Sequence, residues 1–539
     1  MKKSVSIFLV LLILITLLTG CGKGDAVSTD TSDETSSVGG FGTKFSLTNP
    51  ITDVVNTNHL KIKWNGVKKF ETVTVKLEKQ EGDKFVTVFE KSGINDSEYY
   101  YKEQLENATY KITLTAVAEN GDTRVAANTK NGFIFKREEA KINKEINKGM
   151  DFSFDGSISF EVLNNYLSRS MSYCLFADDT ATMDEGLRAM LNTGAKYIMR
   201  SVTEWAPSLA GEGHYEYYAE WLSKAHDIDP EIIFEAGIFE TTGPNIDGIT
   251  IPKHVCDAFG VKYTGRSFNH ELTLHSDNYG RKRWNEKLHV PDITKLETQM
   301  FIYYKACRYI DMGIESLHLG QANLIGQKDK NNACWTKVIH MIREYAKKNA
   351  RRHYVLINCH FPTQNFVGSD GVMLADFNAF PLRIRVKDGS VDHAATENNP
   401  QECDIYPSQR SDSPYLKHIK GTSPSGWTTD NYPYLVEFDN WTEKNPQHNK
   451  AQGIWGYDEI SWFANQPKSY RHKFLMDLNK KIASYNDNGH VAMPGKRTAY
   501  ILAQKAQRNY IMNDKKYCSS GFDDEQAILN VWTELKKQK

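Results

Sequence analysis

The sequence predicts a multidomain protein, a small β-sandwich followed by a (β/α)8, TIM-like barrel. Three observations carry this. The 539 residues are too many for one ordinary hydrophobic core. A stretch from Phe45 to about Lys136 alternates apolar and polar residues with period two, the mark of half-buried strands. From about Lys144 onward, apolar runs alternate with amphipathic helical stretches, as repeated βα units require. The chain divides into residues 1–21, 22–44, 45–137 and 144–539.

Residues 1–21 open with Met1-Lys2-Lys3, run through the apolar segment Ile7 to Ile15, and close on Leu18-Thr19-Gly20-Cys21. A basic start, an apolar middle and small residues before a cut define a secretory signal peptide. With Cys directly after Leu-Thr-Gly, the segment resembles a bacterial lipoprotein signal, which implies that Cys21 becomes the lipidated first residue. Gly22 follows, so the retention signal associated with Asp at that position is absent. An uncut signal anchor is the other reading. Both place the working part outside the cytoplasmic membrane, and acyl chains on Cys21 would hold it at the cell membrane without a spanning helix. Residues 22–44 are rich in Ser, Thr, Asp and Gly, too polar to bury a core, and read as a flexible spacer.

In residues 45–137 the strands run through Leu60 to Trp64, Thr72 to Leu77, Phe85 to Phe89 and Tyr110 to Val117, with a turn at Glu119-Asn120-Gly121-Asp122. That rhythm fits a sandwich. Trp64 ends an early strand, and Leu105 precedes Tyr110 by five residues at the start of a late one. In these residues the module resembles a fibronectin type III domain, Leu105 and Tyr110 looking like its tyrosine corner. The resemblance implies a spacer, or a unit that docks on glycan or protein.

Composition excludes several classes. The formal net charge is −1 with both signs interspersed, which leaves no basic stripe for nucleic acid. Beyond Cys21 there are seven widely spaced cysteines and no CxxC, so neither a zinc ribbon nor a thioredoxin-like site is indicated. No P-loop, GxSxG elbow or GxGxxG after the first strand is present, and no cofactor is expected.

In the barrel region the expected strands are Met171–Phe176, Tyr197–Val202, Glu231–Phe239, Ser316–Gln321, Tyr354–His360, Val372–Phe377, Tyr434–Phe438 and His490–Met493. Helical patterns lie at Met183–Leu191, Tyr215–His226, Leu296–Tyr309, Trp335–Lys347 and Tyr470–Ala483. A barrel places chemistry at the C-terminal ends of its strands. Those ends offer Asp178, Arg200, Glu204, Trp205, Glu235, Glu240, His318, Gln321, Asn323, Asn358, His360, Asp376, Asn378, Glu437, Asp439 and Trp441. Glu437 stands out, because a carboxylate among Tyr434-Leu435-Val436 and Phe438 is an improbable choice unless paired or functional. Asp439 shares its face. Glu240 and Asp376 complete the candidate catalytic carboxylates. The bland alternative for Glu437 is an ion pair with a barrel Arg such as Arg200, and Asp178 and Glu204 also suit helix caps.

The arrangement resembles the large clan of (β/α)8 glycoside hydrolases. In that clan a Glu of the seventh strand is the nucleophile, a position Glu437 matches. The resemblance also implies an acid/base Glu at the end of the fourth strand, where this chain reads Leu319-Gly320-Gln321-Ala322-Asn323 and holds no carboxylate. A strand count off by one would bring Glu240 into that role. Aromatics reach 12% of the chain, and Trp205, Trp427, Trp441, Trp455 and Trp462 fall at strand ends or in loops. Exposed indoles stack on sugar faces. His318, Gln321, Asn358 and His360 are the polar substrate contacts expected beside them. The expected partners are a carbohydrate substrate and, through Cys21, the membrane. A divalent metal on His318, His360 and Asp376 is a second enzymatic reading, although the first strand lacks an HxH pair. Glycan capture without cleavage is the non-catalytic one.

Overall fold

A computed structural model describes residues 45–47, 60–101, 105–128, 132–135, 142–176, 178, 180–206, 213–363, 365–382, 384–387, 395–405, 418–439, 458–518 and 520–537. Cys21, Trp441 and Trp455 lie outside these residues, as do the expected signal peptide and spacer.

The N-terminal strands are β1 (Ser46–Leu47), β2 (Leu60–Asn65), β3 (Glu71–Glu81), β4 (Lys84–Ile94), β5 (Glu98–Tyr101), β6 (Ala108–Ala118), β7 (Thr123–Asn128) and β8 (Phe133–Phe135). They form two antiparallel sheets, ordered β1-β2-β5 and β4-β3-β6-β7, with β8 against β6. Alternate residues of a strand face the same side. Val73, Val75 and Leu77 of β3 and Ile112, Leu114 and Ala116 of β6 therefore turn inward onto Leu60, Ile62 and Trp64 in one buried cluster. The Tyr110 hydroxyl accepts the Glu106 backbone N–H at 3.1 Å, fixing the entry to β6.

The second, larger sheet uses β9 (Ser170–Tyr173), β10 (Tyr197–Val202), β11 (Ile233–Gly237), β12 (Ser316–His318), β13 (Leu356–Cys359) and β14 (Phe377–Pro381). The short strands β15 (Ile384–Val386) with β16 (Cys403–Ile405), and β17 (Gly421–Thr422) with β18 (Thr428–Thr429), make two separate ribbons. The sheet resumes with β19 (Tyr434–Glu437), β20 (Gly489–Val491), β21 (Met493–Ile501) and β22 (Ala506–Ile511). Its order is β20-β19-β14-β13-β12-β11-β10-β9-β21-β22, parallel throughout except for the β21–β22 hairpin.

Only Ala492 separates β20 from β21, and its N–H donates to the Val436 carbonyl at 2.8 Å. One stretch of chain thus pairs with β19 on one side and, through Met493 and Pro494, with Met171 and Ser172 of β9 on the other. The row is curled. Tyr197 and Met199 of β10, Ile233 of β11, Leu356 of β13, Phe377 of β14, Leu435 of β19 and Ala492 meet in one buried cluster with the helix Phe160–Ser168.

Helices cover the other face. Thr180–Thr193, Tyr215–Ile228, Leu296–Asp311 and Ala333–Asn349 fill the connections from β9 to β13, and Glu459–Ala464 and Lys468–Tyr485 precede β20. Eight βα units are not seen: residues 360–376 carry no helix among the described residues, and the link from β14 to β19 carries ribbons. The sixth strand is also displaced from its expected position, Val372–Phe377, to Phe377–Pro381. Asp376 is the reason, its carboxylate accepting the Ile357 N–H at 2.8 Å and the Tyr354 hydroxyl at 2.6 Å just before β14 begins.

Near the C-terminus, the helix Glu525–Lys537 returns to the first βα unit. Arg188 Nη1 donates to Glu525 at 3.2 Å and Asn192 donates to it at 2.9 Å, while Arg188 also holds Glu185 at 2.8 Å.

Candidate functional site

The C-terminal ends of the parallel strands bring Glu437, Arg200, His360 and Arg497 together. Glu437 ends β19 and is fully buried. Arg200 Nε donates to its Oε2 at 3.1 Å and Arg200 Nη2 to its Oε1. Arg497 Nη1 reaches Oε2 at 3.3 Å, and His360 Nε2 lies 3.4 Å from Oε1. Burial alone would raise the Glu437 pKa. The charge and hydrogen bonds of Arg200, with the charge of Arg497, override it and hold the carboxyl below the usual range. Asp439 lies beside this group, taking Arg497 Nη2 at 2.8 Å.

Arg200 reaches this position through a distortion of β10. Its φ is +59°, a left-handed value unusual for an Arg, and the pairing with β11 shifts register between Ile198 and Val202. Its backbone N–H donates to Glu235 Oε1 at 3.0 Å. Glu235 Oε2 also takes Asn358 Nδ2 at 2.6 Å and the Tyr197 hydroxyl at 2.5 Å. Asn358 Oδ1 in turn pairs with His318 Nδ1 at 2.6 Å, and the His318 ring meets His360 edge-on, 4.7 Å between centroids. A continuous polar column therefore runs from Tyr197 up to Glu437. Burial pushes both imidazoles down, so they stay neutral near pH 7.

Glu240 lies three residues beyond the end of β11 and is buried. The Gln321 backbone N–H donates to its Oε2 at 2.8 Å and Gln321 Nε2 to its Oε1 at 3.0 Å. A carboxyl from the third strand's loop thus occupies the end of the fourth. Burial raises its pKa, and the Gln321 donors offset only part of that. Gly320 permits the approach. Its φ is +54°, and a Cβ there would stand 2.0 Å from Glu240 Oε2. Gly320→Ala is therefore expected to cost about 1–3 kcal/mol in denaturant unfolding, from backbone strain and a displaced carboxyl.

Other expected site residues divide. Trp205 is 40% exposed at the rim, edge-on to Trp284 at 5.5 Å. Asp376 lies at the opposite end of the sheet from Glu437, held by Tyr354, Ile357 and by Arg343 at 3.1 Å, which accounts for its full burial. It does not join His318 and His360, and no group of three His, Cys, Asp or Glu suited to a metal exists among the described residues. Trp427 also sits at that far end, its Nε1 donating to the Ile158 carbonyl at 3.1 Å and its ring packed on Phe160. Trp462 is interior, bonded to the Gln401 carbonyl at 3.2 Å.

Arg497 and Trp284 are the contributors that the sequence reading misses. Ending the eighth strand at Met493-Pro494 hid Arg497, which a strand carried on to Ile501 would have included. Trp284 lies in the long insertion after β11, where no periodicity marks it.

No family model matches the chain, and no curated protein matches it. Among solved structures it is similar to a calcium-binding mutant of Bacteroides uniformis beta-glucuronidase 2, at 10% identity and a TM-score of 0.27, over 86% of this chain and 47% of that one. The chain therefore spans about half the length of that enzyme. It is similar to the debranching enzyme from Nostoc punctiforme at 11% identity and a TM-score of 0.33, over 69% of this chain and 77% of that one. A human FNIII domain overlaps 21% of this chain with 94% of its own, at 16% identity and a TM-score of 0.13. At such overlaps the chemistry has to be read from the side chains.

Proposed function

We propose that the chain is a glycoside hydrolase, anchored outside the cytoplasmic membrane through Cys21, that cleaves a polysaccharide or oligosaccharide with Glu437 and Glu240. In this reading the strand from Gly489 to Ile501 closes an eight-stranded barrel, and the N-terminal sheets are a fibronectin type III-like sandwich. One observation carries the proposal: two buried carboxyls at the C-terminal ends of the parallel strands, Glu437 on β19 and Glu240 at the end of β12, are pushed apart in protonation, Glu437 towards the anion and Glu240 towards the acid. That division supplies a nucleophile or base and a proton donor. Three buried polar atoms without hydrogen-bond partners among the described residues, Arg200 Nη1, His318 Nε2 and Gln321 Oε1, lie on the residues that surround these carboxyls. One donor and two acceptors suit sugar hydroxyls, which both give and take hydrogen bonds.

Reducing-sugar release from a panel of plant, host and bacterial polysaccharides by the full chain in detergent tests the proposal. Activity is expected to follow a bell in pH. It falls on the acid side as Glu437 takes up a proton, and on the alkaline side as Glu240 loses one. A flat profile would remove both carboxyls from the reaction.

A second reading has its own support. Glu437 is fully buried between the guanidinium groups of Arg200 and Arg497, as a structural ion pair would be. Retention of a glycan on an affinity gel without sugar release would move the assignment to capture.

A further inference from the structure

Glu235 stands low in the polar column, fully buried on β11, and the proposed chemistry makes no use of it. A carboxyl in the interior needs donors for both oxygens. Oε1 takes the Arg200 N–H at 3.0 Å, and Oε2 takes Asn358 Nδ2 at 2.6 Å and the Tyr197 hydroxyl at 2.5 Å. The Tyr197 oxygen also lies 3.2 Å from Asn358 Nδ2 and 2.8 Å from Ser316 Oγ.

These contacts fix which way the Asn358 amide faces. A carboxylate oxygen only accepts, so the amide NH2 points at Glu235 and the amide oxygen at His318. That oxygen also only accepts. His318 Nδ1, 2.6 Å away, must therefore carry the proton of their bond. Burial and the charge of Arg200 keep the ring neutral, so this proton is its only one and Nε2 keeps a lone pair. His360 reaches the same form by another route. Its Nδ1 donates to the Ala379 carbonyl at 2.9 Å, and its Nε2 accepts Arg200 Nη2 at 3.0 Å.

We infer that Glu235 is a positioning residue: through Asn358 it holds His318 in the Nδ1–H form, so that Nε2 accepts a hydrogen bond from a substrate hydroxyl. The surroundings make an acceptor valuable there. Arg200 and Arg497 supply donors and accept nothing. A sugar hydroxyl also has a proton to give, and a neutral imidazole takes it without adding charge. The His318 ring lies edge-on to His360 at 4.7 Å and beside Phe239 at 5.5 Å, one ring away from Glu437. Among the described residues, nothing donates to its Nε2. The inference rests on the glycoside hydrolase reading for its hydroxyl, but its first readout needs no turnover.

The test is two-bond 1H–15N NMR of the full chain in detergent, labelled with 15N-histidine, near pH 7. Resonances lost in His318→Gln identify the ring. In the wild type, His318 is expected to show a protonated Nδ1 and a bare Nε2. In Glu235→Gln the new amide keeps its oxygen on the Arg200 N–H and sets its NH2 against that of Asn358. Asn358 then turns over, and the His318 proton is expected to move to Nε2. Tyr197→Phe leaves Asn358 on Glu235 and should leave the proton on Nδ1. On the most responsive polysaccharide, Glu235→Gln should raise KM about tenfold and leave kcat within about threefold, as the loss of one hydrogen bond to substrate does. If Glu235→Gln does not fold, Asn358→Leu replaces it, with no amide oxygen left to hold the proton on Nδ1. A wild-type His318 protonated on Nε2, or on both nitrogens, overturns the inference, as does a proton unmoved in these variants. A proton that moves as expected, with no sugar released by any form, keeps Glu235 as the residue that sets His318 and removes the hydrolase. Sugar release with an unmoved proton does the reverse.

Discussion

Glu437→Gln is expected to lower kcat by about 10³-fold or more while glycan binding and a cooperative thermal transition persist. The amide keeps the side chain's shape and leaves an oxygen to accept from Arg200, so the packing at the end of β19 survives. What disappears is the negative charge that Arg200 and Arg497 hold in place. If that charge develops a bond to the substrate, or offsets the positive charge of the transition state, its loss falls on kcat rather than KM. Rates on the most responsive polysaccharide, measured for both proteins, decide it. Unchanged kcat would make Glu437 a structural partner of Arg200 and nothing more.

Arg200→Met carries the largest expected stability effect, a loss of about 3 kcal/mol in denaturant unfolding. The substitution strands Glu437 in a site with no access to water. It also removes the guanidinium that packs over Phe239 at 5.4 Å. Arg497 stays within reach of the carboxylate and keeps the loss from running higher. Adding Glu437→Leu should recover much of the deficit, because the stranded charge goes and an apolar pair fills similar volume. A double variant no more stable than Arg200→Met would place the cost in the distorted backbone at φ +59° instead.

Much of this architecture was legible from period alone. The period-two stretches became β2, β3, β4 and β6, and five helical patterns fell on helices around the curled sheet. The core position of Glu437 was equally visible, since a lone carboxylate in an apolar run demands a partner, and Arg200 is that partner. Boundaries misled where polar groups overrode pattern. Val372-Met373-Leu374-Ala375 looks like a strand, yet Asp376 pins the following residue to the start of β14 and shifts the strand forward. Trp427 and Trp462 sit in loop-like sequence, but Trp462 is buried and Trp427 half-buried, each ring packed against its own framework. The meeting of Glu240 with Gln321 could not be read at all. It depends on a loop from one strand crossing to the end of the next, with Gly320 making room.

The pairing of β9 with β21 sets an order of events for the nascent chain. Met171 must wait for Met493, more than three hundred residues later, before the first strand has its second neighbour. Contacts of such long sequence separation slow folding, because loop closure has to precede any gain. Until then one edge of β9 stays open to adventitious strand pairing. The helix Glu525–Lys537, docking through Glu525 onto Arg188 and Asn192, comes later still and fastens the two ends of the row from outside. A polypeptide cut before Gly489 would therefore lose more than its last segment. It would present two unpaired edges, at β9 and β19, and would be expected to aggregate rather than persist as a shorter soluble domain.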